Sequence, residues 1–198
     1  MRGKQLIITV CVSAAMGVLP AASAFAAMVR ECPTGKPTAA SYTWNFRREA
    51  NNLFSDVQTR ALHAEDHAYR LQSFLLDANM SWQSDVNELI PLRSEVNRMG
   101  NDLCRLETIR RVLAPWQQRS VDRIHATIQL LADNTQDAIT FENGHHQMLW
   151  SPTYQKYVDN IARLTRSLTN SSGNAVEYAK VRSQYRDLRG ELGAKTAS

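Results

Sequence analysis

The 198-residue sequence lacks most of the short motifs that carry chemistry. It has no G-x-S-x-G, no Gly-rich phosphate loop and no C-x-x-C-H, so nothing marks a nucleophile elbow, a P-loop or attached c-type haem. H-E-x-x-H is missing too, and E-x-x-H occurs once, at Glu142 and His145, where a di-iron bundle uses two copies. Glu65 and Asp66 are adjacent, so on a helix they point different ways and do not share one substrate. No stretch alternates β-branched and polar residues as a half-buried strand would. Long apolar runs are also missing. The longest, Leu6 to Leu19, falls short of the roughly 20 residues that span a bilayer. These gaps point away from an enzyme and from a membrane-spanning chain.

What is present at the start has a recognisable order. Residues 1–27 read MRGKQ, then LIITVCVSAAMGVL, then PAASAFAA: a basic start, an apolar run, a helix breaker and small residues at A-x-A spacing. That is the layout of a secretory signal peptide, cleaved after Ala24 or Ala26. The expected location is therefore periplasmic or secreted. Cys11 leaves with the peptide, so Cys32 and Cys104 are the cysteines of the mature chain. Two thiols in an exported protein are expected as one disulfide. A Cys32–Cys104 bond closes a long loop, worth roughly 4 kcal/mol in the chain-entropy model. Two cysteines alone do not make a zinc site. Removing Arg2 and Lys4 from the 23 basic residues leaves 21 against 19 acidic ones, so the whole-chain pI of about 9.1 overstates the basicity of the mature protein.

The mature chain carries a helix period almost throughout. Phe46, Ala50, Leu53, Val57, Ala61, Ala64, Ala68, Leu71 and Leu75 step by threes and fours, predicting a first helix over 41–77. Leu89, Leu92, Val96, Met99, Leu103, Leu106 and Leu113 repeat the rhythm, with Pro91 as a kink or a late start. Val121, Ile124, Ile128, Leu131, Thr135 and Ala138 form a third stripe, opened by Pro115. Tyr157, Ile161, Leu164 and Leu168 begin a fourth, which meets 170-NSSGN-174 and resumes in a shifted register at Tyr178, Val181, Tyr185, Leu188 and Leu192. That joint either kinks the last helix or frees it as an arm. The expected architecture is all-α, an up-down-up-down four-helix bundle with coiled-coil-like packing. Its parts are a signal peptide (1–26), an extended lead segment (27–40), one bundle domain (41–193) and a flexible tail (194–198). A monomer is favoured, although heptad-spaced cores also serve dimers of hairpins.

Folding the chain this way sorts the unusual residues to two ends. At one end Arg47, Arg48, Arg105, Arg110, Arg111, Arg119 and Arg123 gather with Arg182, Arg186, Arg189 and Lys195. Arginines at helix starts oppose the helix dipole, so this end is a candidate contact for an anionic partner, a protein or a cell-envelope component. The export signal argues against nucleic acid. The other end collects Asp77, Asp85, Glu88, Asp133, Asp137, Glu142 and Asp159 with two Met-x-Trp turns. Met80, Trp82, His145, His146, Met148 and Trp150 there are either a hydrophobic plug or a Cu(I)-type site of thioether and imidazole donors. His63 and His67, four apart on one helix face, are expected to make local pairs with Glu65 or Asp66. The first reading of function is a non-enzymatic binding protein without a cofactor, with a scaffold or chaperone-like role. The alternative is a copper carrier or sensor.

Overall fold

The protein folds as four helices joined by short turns in a computed structural model that describes residues 45–77 and 81–196. The signal-peptide and lead segments, Cys32 and Met80 lie outside the described residues. The helices are α1 (Phe46–Phe74), α2 (Trp82–Ile109), α3 (Pro115–Gly144) and α4 (Pro152–Thr196). One turn of 3-10 helix, Arg110–Val112, follows α2. Asn45 starts α1 by accepting the Arg48 backbone N–H on its side-chain oxygen at 3.0 Å, which satisfies one of the open donors of a helix start. Pro115 sits in the first turn of α3, where its missing N–H has no partner to lose. Pro91 does not mark the start of α2, because the helix already begins at Trp82 after Ser81 and carries the proline inside it.

Each helix has two packed neighbours, so the four form a ring: α1 lies against α2 and α4, and α3 lies against the same two. Cross-helix pairs show that α1 and α2 run antiparallel. Glu49 meets Arg105 at 2.5 Å, Arg60 meets Asp102 at 2.9 Å, and His67 meets Glu88 at 2.6 Å, so partners descend on α2 as they climb α1. The predicted stripes of α1 to α3, and that of α4 as far as Leu168, line the core. Phe54, Leu71, Leu92, Met99, Leu103, Ile124, Ile128, Leu131 and Ile161 are fully buried. On α1 the stripe is mostly alanine (Ala50, Ala61, Ala64 and Ala68). Small side chains let the α1 backbone come close to its neighbours. Polar residues on the core face satisfy their hydroxyls within their own helix: Thr135 donates to the Leu131 carbonyl at 2.7 Å and Ser172 to Leu168 at 2.6 Å.

The NSSGN segment neither breaks nor ends the last helix. α4 continues through it as one helix of 45 residues. Ser172 is turned inward and back-bonded, and Leu168 and Ala175 are buried on either side, so packing holds the segment helical against its weak local propensity. A Cβ at Gly173 would meet the Gln58 amide, Nε2 at 3.0 Å and Cδ at 3.6 Å. That is tight, but the neighbour is the end of a long side chain that can swing aside. Gly173→Ala is therefore expected to raise stability by about 0.5–1 kcal/mol from helix propensity. Thermal or urea unfolding checks this, and a loss of stability would mean that Gln58 is locked in place.

The helices also differ in length. α1, α2 and α3 have 29, 28 and 30 residues, while α4 has 45. At 1.5 Å per residue α4 is about 67 Å long against about 43 Å for the others. The extra length projects from the end where α1 starts: Tyr178 packs against Trp116 near the start of α3, ring centroids 4.8 Å apart. Ala175 is the last buried residue of α4 among those described.

Candidate functional site

At the end from which α4 projects, a buried glutamine ties two helix starts together. Gln117 on α3 accepts the Ala114 backbone N–H at 3.0 Å and donates to the Arg47 carbonyl and Asn51 Oδ1, both at 2.9 Å. It fixes the first turns of α1 and α3, and with them the arginines those turns carry. Of the seven arginines expected to face an anion, two are engaged within the protein. Arg105 pairs with Glu49, and Arg110 pairs with Asp122 and, at 3.9 Å, with Glu107. The other five, Arg47, Arg48, Arg111, Arg119 and Arg123, are exposed and make no ion pair with the described residues. Arg119 and Arg123 lie four apart on α3 and so share a face.

The projecting part of α4 extends this end. Tyr178, Val181, Tyr185, Leu188 and Leu192 recur at alternating steps of three and four and are 48% to 66% exposed. Arg182, Arg186 and Arg189 each follow a stripe residue directly in sequence. The shifted register read at Tyr178 thus belongs to a continuous helix, and its apolar residues lie exposed. The stripe keeps core spacing, but past Ala175 none of α1, α2 and α3 as described buries it.

The opposite end holds a buried polar network beside the Met-x-Trp turns. Asp85 on α2 and Glu142 on α3, read as helix-end acids, are buried at 4% and 3% exposure. The hydroxyl of Tyr154, fully buried on α4, donates to Asp85 Oδ1 at 2.9 Å. His146 donates from Nδ1 to Glu142 Oε1 at 2.9 Å and stacks on Trp82 with centroids 4.5 Å apart. His145 turns away, stacking on Phe141 and donating to its carbonyl at 3.1 Å. Burial pushes the Asp85 carboxyl above its ordinary value, with the Tyr154 hydrogen bond opposing and Glu142 adding to the rise. Burial likewise pushes up the Tyr154 hydroxyl, helped by the nearby Asp85, so it stays a donor. Beside this network opens a cleft of about 420 Å³ lined by Phe74, Leu75, Leu76, Asp77, Trp82, Asp85, His146, Gln147, Leu149 and Trp150.

This arrangement bears on the soft-metal expectation. Trp82 and His146 are brought together, whereas Met148 and Trp150 are exposed and His145 faces Phe141. Among the described residues no group of three or more His, Cys, Asp or Glu side chains is placed to hold a metal ion. His67 is also corrected: its partner is Glu88 on α2 at 2.6 Å, not Glu65 or Asp66. Asp66 pairs with Arg70, and Glu65 takes Arg166 at 3.4 Å and Thr169 at 3.0 Å. Cys104 lies half-buried on α2 five residues before its end. No helix among the described residues is long and apolar enough to cross a membrane.

No protein-family model matches the chain, and neither a curated protein nor a solved structure matches it significantly. The functional reading therefore rests on the geometry of the two ends.

Proposed function

We propose that this chain is an exported, non-enzymatic binding protein that holds an anionic partner, a protein or a cell-envelope component, at the end where α4 projects. The observation that carries the reading is the uneven use of arginine. Arg105 and Arg110 are held by acids of the bundle, while Arg47, Arg48, Arg111, Arg119 and Arg123 are exposed without an ion pair among the described residues. Guanidinium groups left in this state suit bidentate capture of carboxylate or phosphate. The exposed apolar stripe of α4, flanked by Arg182 and Arg189, adds a surface where desolvation can supplement charge. Export through residues 1–26 and a Cys32–Cys104 disulfide belong to the same proposal. The mass of the secreted, non-reduced protein tests both, through cleavage near Ala26 and the loss of two hydrogens.

Binding is measured with two probes, a polyglutamate peptide and vesicles containing phosphatidylglycerol, across a series of salt concentrations. Association should weaken steadily with salt. Arg119→Glu with Arg123→Glu should weaken it by about tenfold or more, since each rim charge changes from attraction to repulsion. Arg110→Ala should do less, because that side chain is already engaged. Association indifferent to salt and to the paired substitution, or no association with either probe, rules the reading out.

A further inference from the structure

The cleft at the far end lies outside the proposed anion contact and has the opposite character. Its lining includes two carboxylates, Asp77 at the rim and Asp85 at the base, and no Lys or Arg. The groups that act on Asp85 are the Tyr154 hydroxyl, the Glu142 carboxylate and its own backbone N–H. None is a cationic side chain, and no described Lys or Arg pairs with Asp85. The base of the cleft is thus a buried carboxylate without a counter-cation. Its walls are aromatic and aliphatic: Trp82 stacked on His146 at one side, Trp150 at the mouth, and Phe74, Leu75, Leu76 and Leu149 between. Leu76 is 90% and Trp150 70% exposed. A solvent-facing apolar rim around a buried charge is hard to explain as a core plug, which would turn those side chains inward.

We infer that this cleft binds a small organic cation, a primary ammonium carried on an aromatic or apolar body. An ammonium at Asp85 supplies the missing counter-charge and a charge-assisted hydrogen bond. The indole faces of Trp82 and Trp150 attract the same positive charge, and the aliphatic wall covers the apolar body. A bare metal ion fits less well, since the described donors near Asp85 do not make a three-ligand group. The volume, about 420 Å³, has room for a ring as well as the charged head, which favours a free amine over the narrow stem of a lysine side chain.

Phenethylamine is the probe, with phenethyl alcohol as its uncharged counterpart and N-acetyl-lysine amide standing for a protein lysine. Titration calorimetry reads affinity for the full chain, and tryptophan fluorescence, compared with that of Trp150→Ala, follows the cleft. The amine is expected to bind about tenfold or more tightly than the alcohol, the margin of a charge-assisted hydrogen bond. It should also bind more tightly than the lysine amide. Asp85→Asn, which keeps the shape and the acceptor for Tyr154, should bring the amine down to the level of the alcohol. Should that variant fail to fold, Trp150→Ala at the exposed mouth provides the second test and should weaken the amine severalfold. Equal binding of amine and alcohol, tighter binding of the lysine amide, undiminished binding by the variant that folds, or no binding at millimolar amine overturns the inference. None of these outcomes bears on the arginines at the other end, so the two proposals fail separately.

Discussion

Tyr154→Ala is expected to be among the most destabilising single changes in the bundle, costing about 3–5 kcal/mol. Tyr154 is fully buried, stacks on Phe141 at 5.8 Å and gives its hydroxyl to Asp85. Alanine removes the ring, the hydrogen bond and the volume together. Tyr154→Phe isolates the hydroxyl. It leaves a buried carboxylate short of a donor, at about 1–3 kcal/mol. In a domain of this size that is a fall in Tm of roughly 2–12 °C. Asp85→Asn should lower this cost, because a hydrogen bond to a charged acceptor is roughly twice as strong as one to a neutral acceptor. Urea unfolding of the four proteins in this cycle measures the coupling. Equal costs in both backgrounds would mean that Tyr154 and Asp85 do not act as a pair.

The direction of the Asp85 shift adds a pH signature. Its carboxyl is raised above the ordinary value of 3.8, so the folded state holds that proton more tightly than the unfolded chain. Stability from this group is present at low pH and is lost as pH rises through the raised value. At neutral pH the buried charge is a burden, and Asp85→Asn should be as stable as the natural protein or more so. The gain should vanish as pH falls toward the ordinary aspartate value. Asp102 is also raised by burial, with Arg60 opposing, and contributes a slope of the same sign in both proteins. The difference between the natural protein and the variant isolates Asp85. A carboxylate that lowers stability yet lines a cleft is what a binding role would retain.

The helix periods made the bundle legible because apolar spacing and burial are the same fact seen twice. Leu89, Leu92, Val96, Met99 and Leu103 step at threes and fours, and all five are core. The polar network escaped for the same reason. Asp85 lies four before Leu89, Gln117 four before Val121, and Glu142 four after Ala138, so each continues an apolar stripe. A reading that follows only apolar residues stops one step short of all three. The signal was the spacing, with a polar residue standing where the period calls for a core one. Tyr154 was likewise one step outside the stripe read from Tyr157. The arginine end was legible as a cluster, but which arginines are engaged depends on partners distant in sequence, such as Glu49 for Arg105, 56 residues away.

Ending the chain at Ala179 should leave the bundle folded within about 1 kcal/mol while costing about tenfold or more in association with the anionic probes. Stability is expected to hold because Ala175 is the last buried residue of α4 among those described and Tyr178 keeps its packing on Trp116. Association is expected to fall because Arg182, Arg186, Arg189 and the stripe from Val181 onward are removed together. The projection also explains why α4 is continuous. Nucleation is the unfavourable step of helix formation, and propagation adds one hydrogen bond per residue fixed. Here the buried part of α4 nucleates the helix, and the exposed part only extends it. Hydrogen exchange should therefore show protection falling beyond Tyr178 in the free protein and rising there when the probe binds. If the shortened chain binds as tightly as the full one, the arginines of α1 and α3 carry the contact alone and the projection serves another purpose. If it loses binding while Arg119→Glu with Arg123→Glu leaves binding intact, the projection is the contact and the body only presents it.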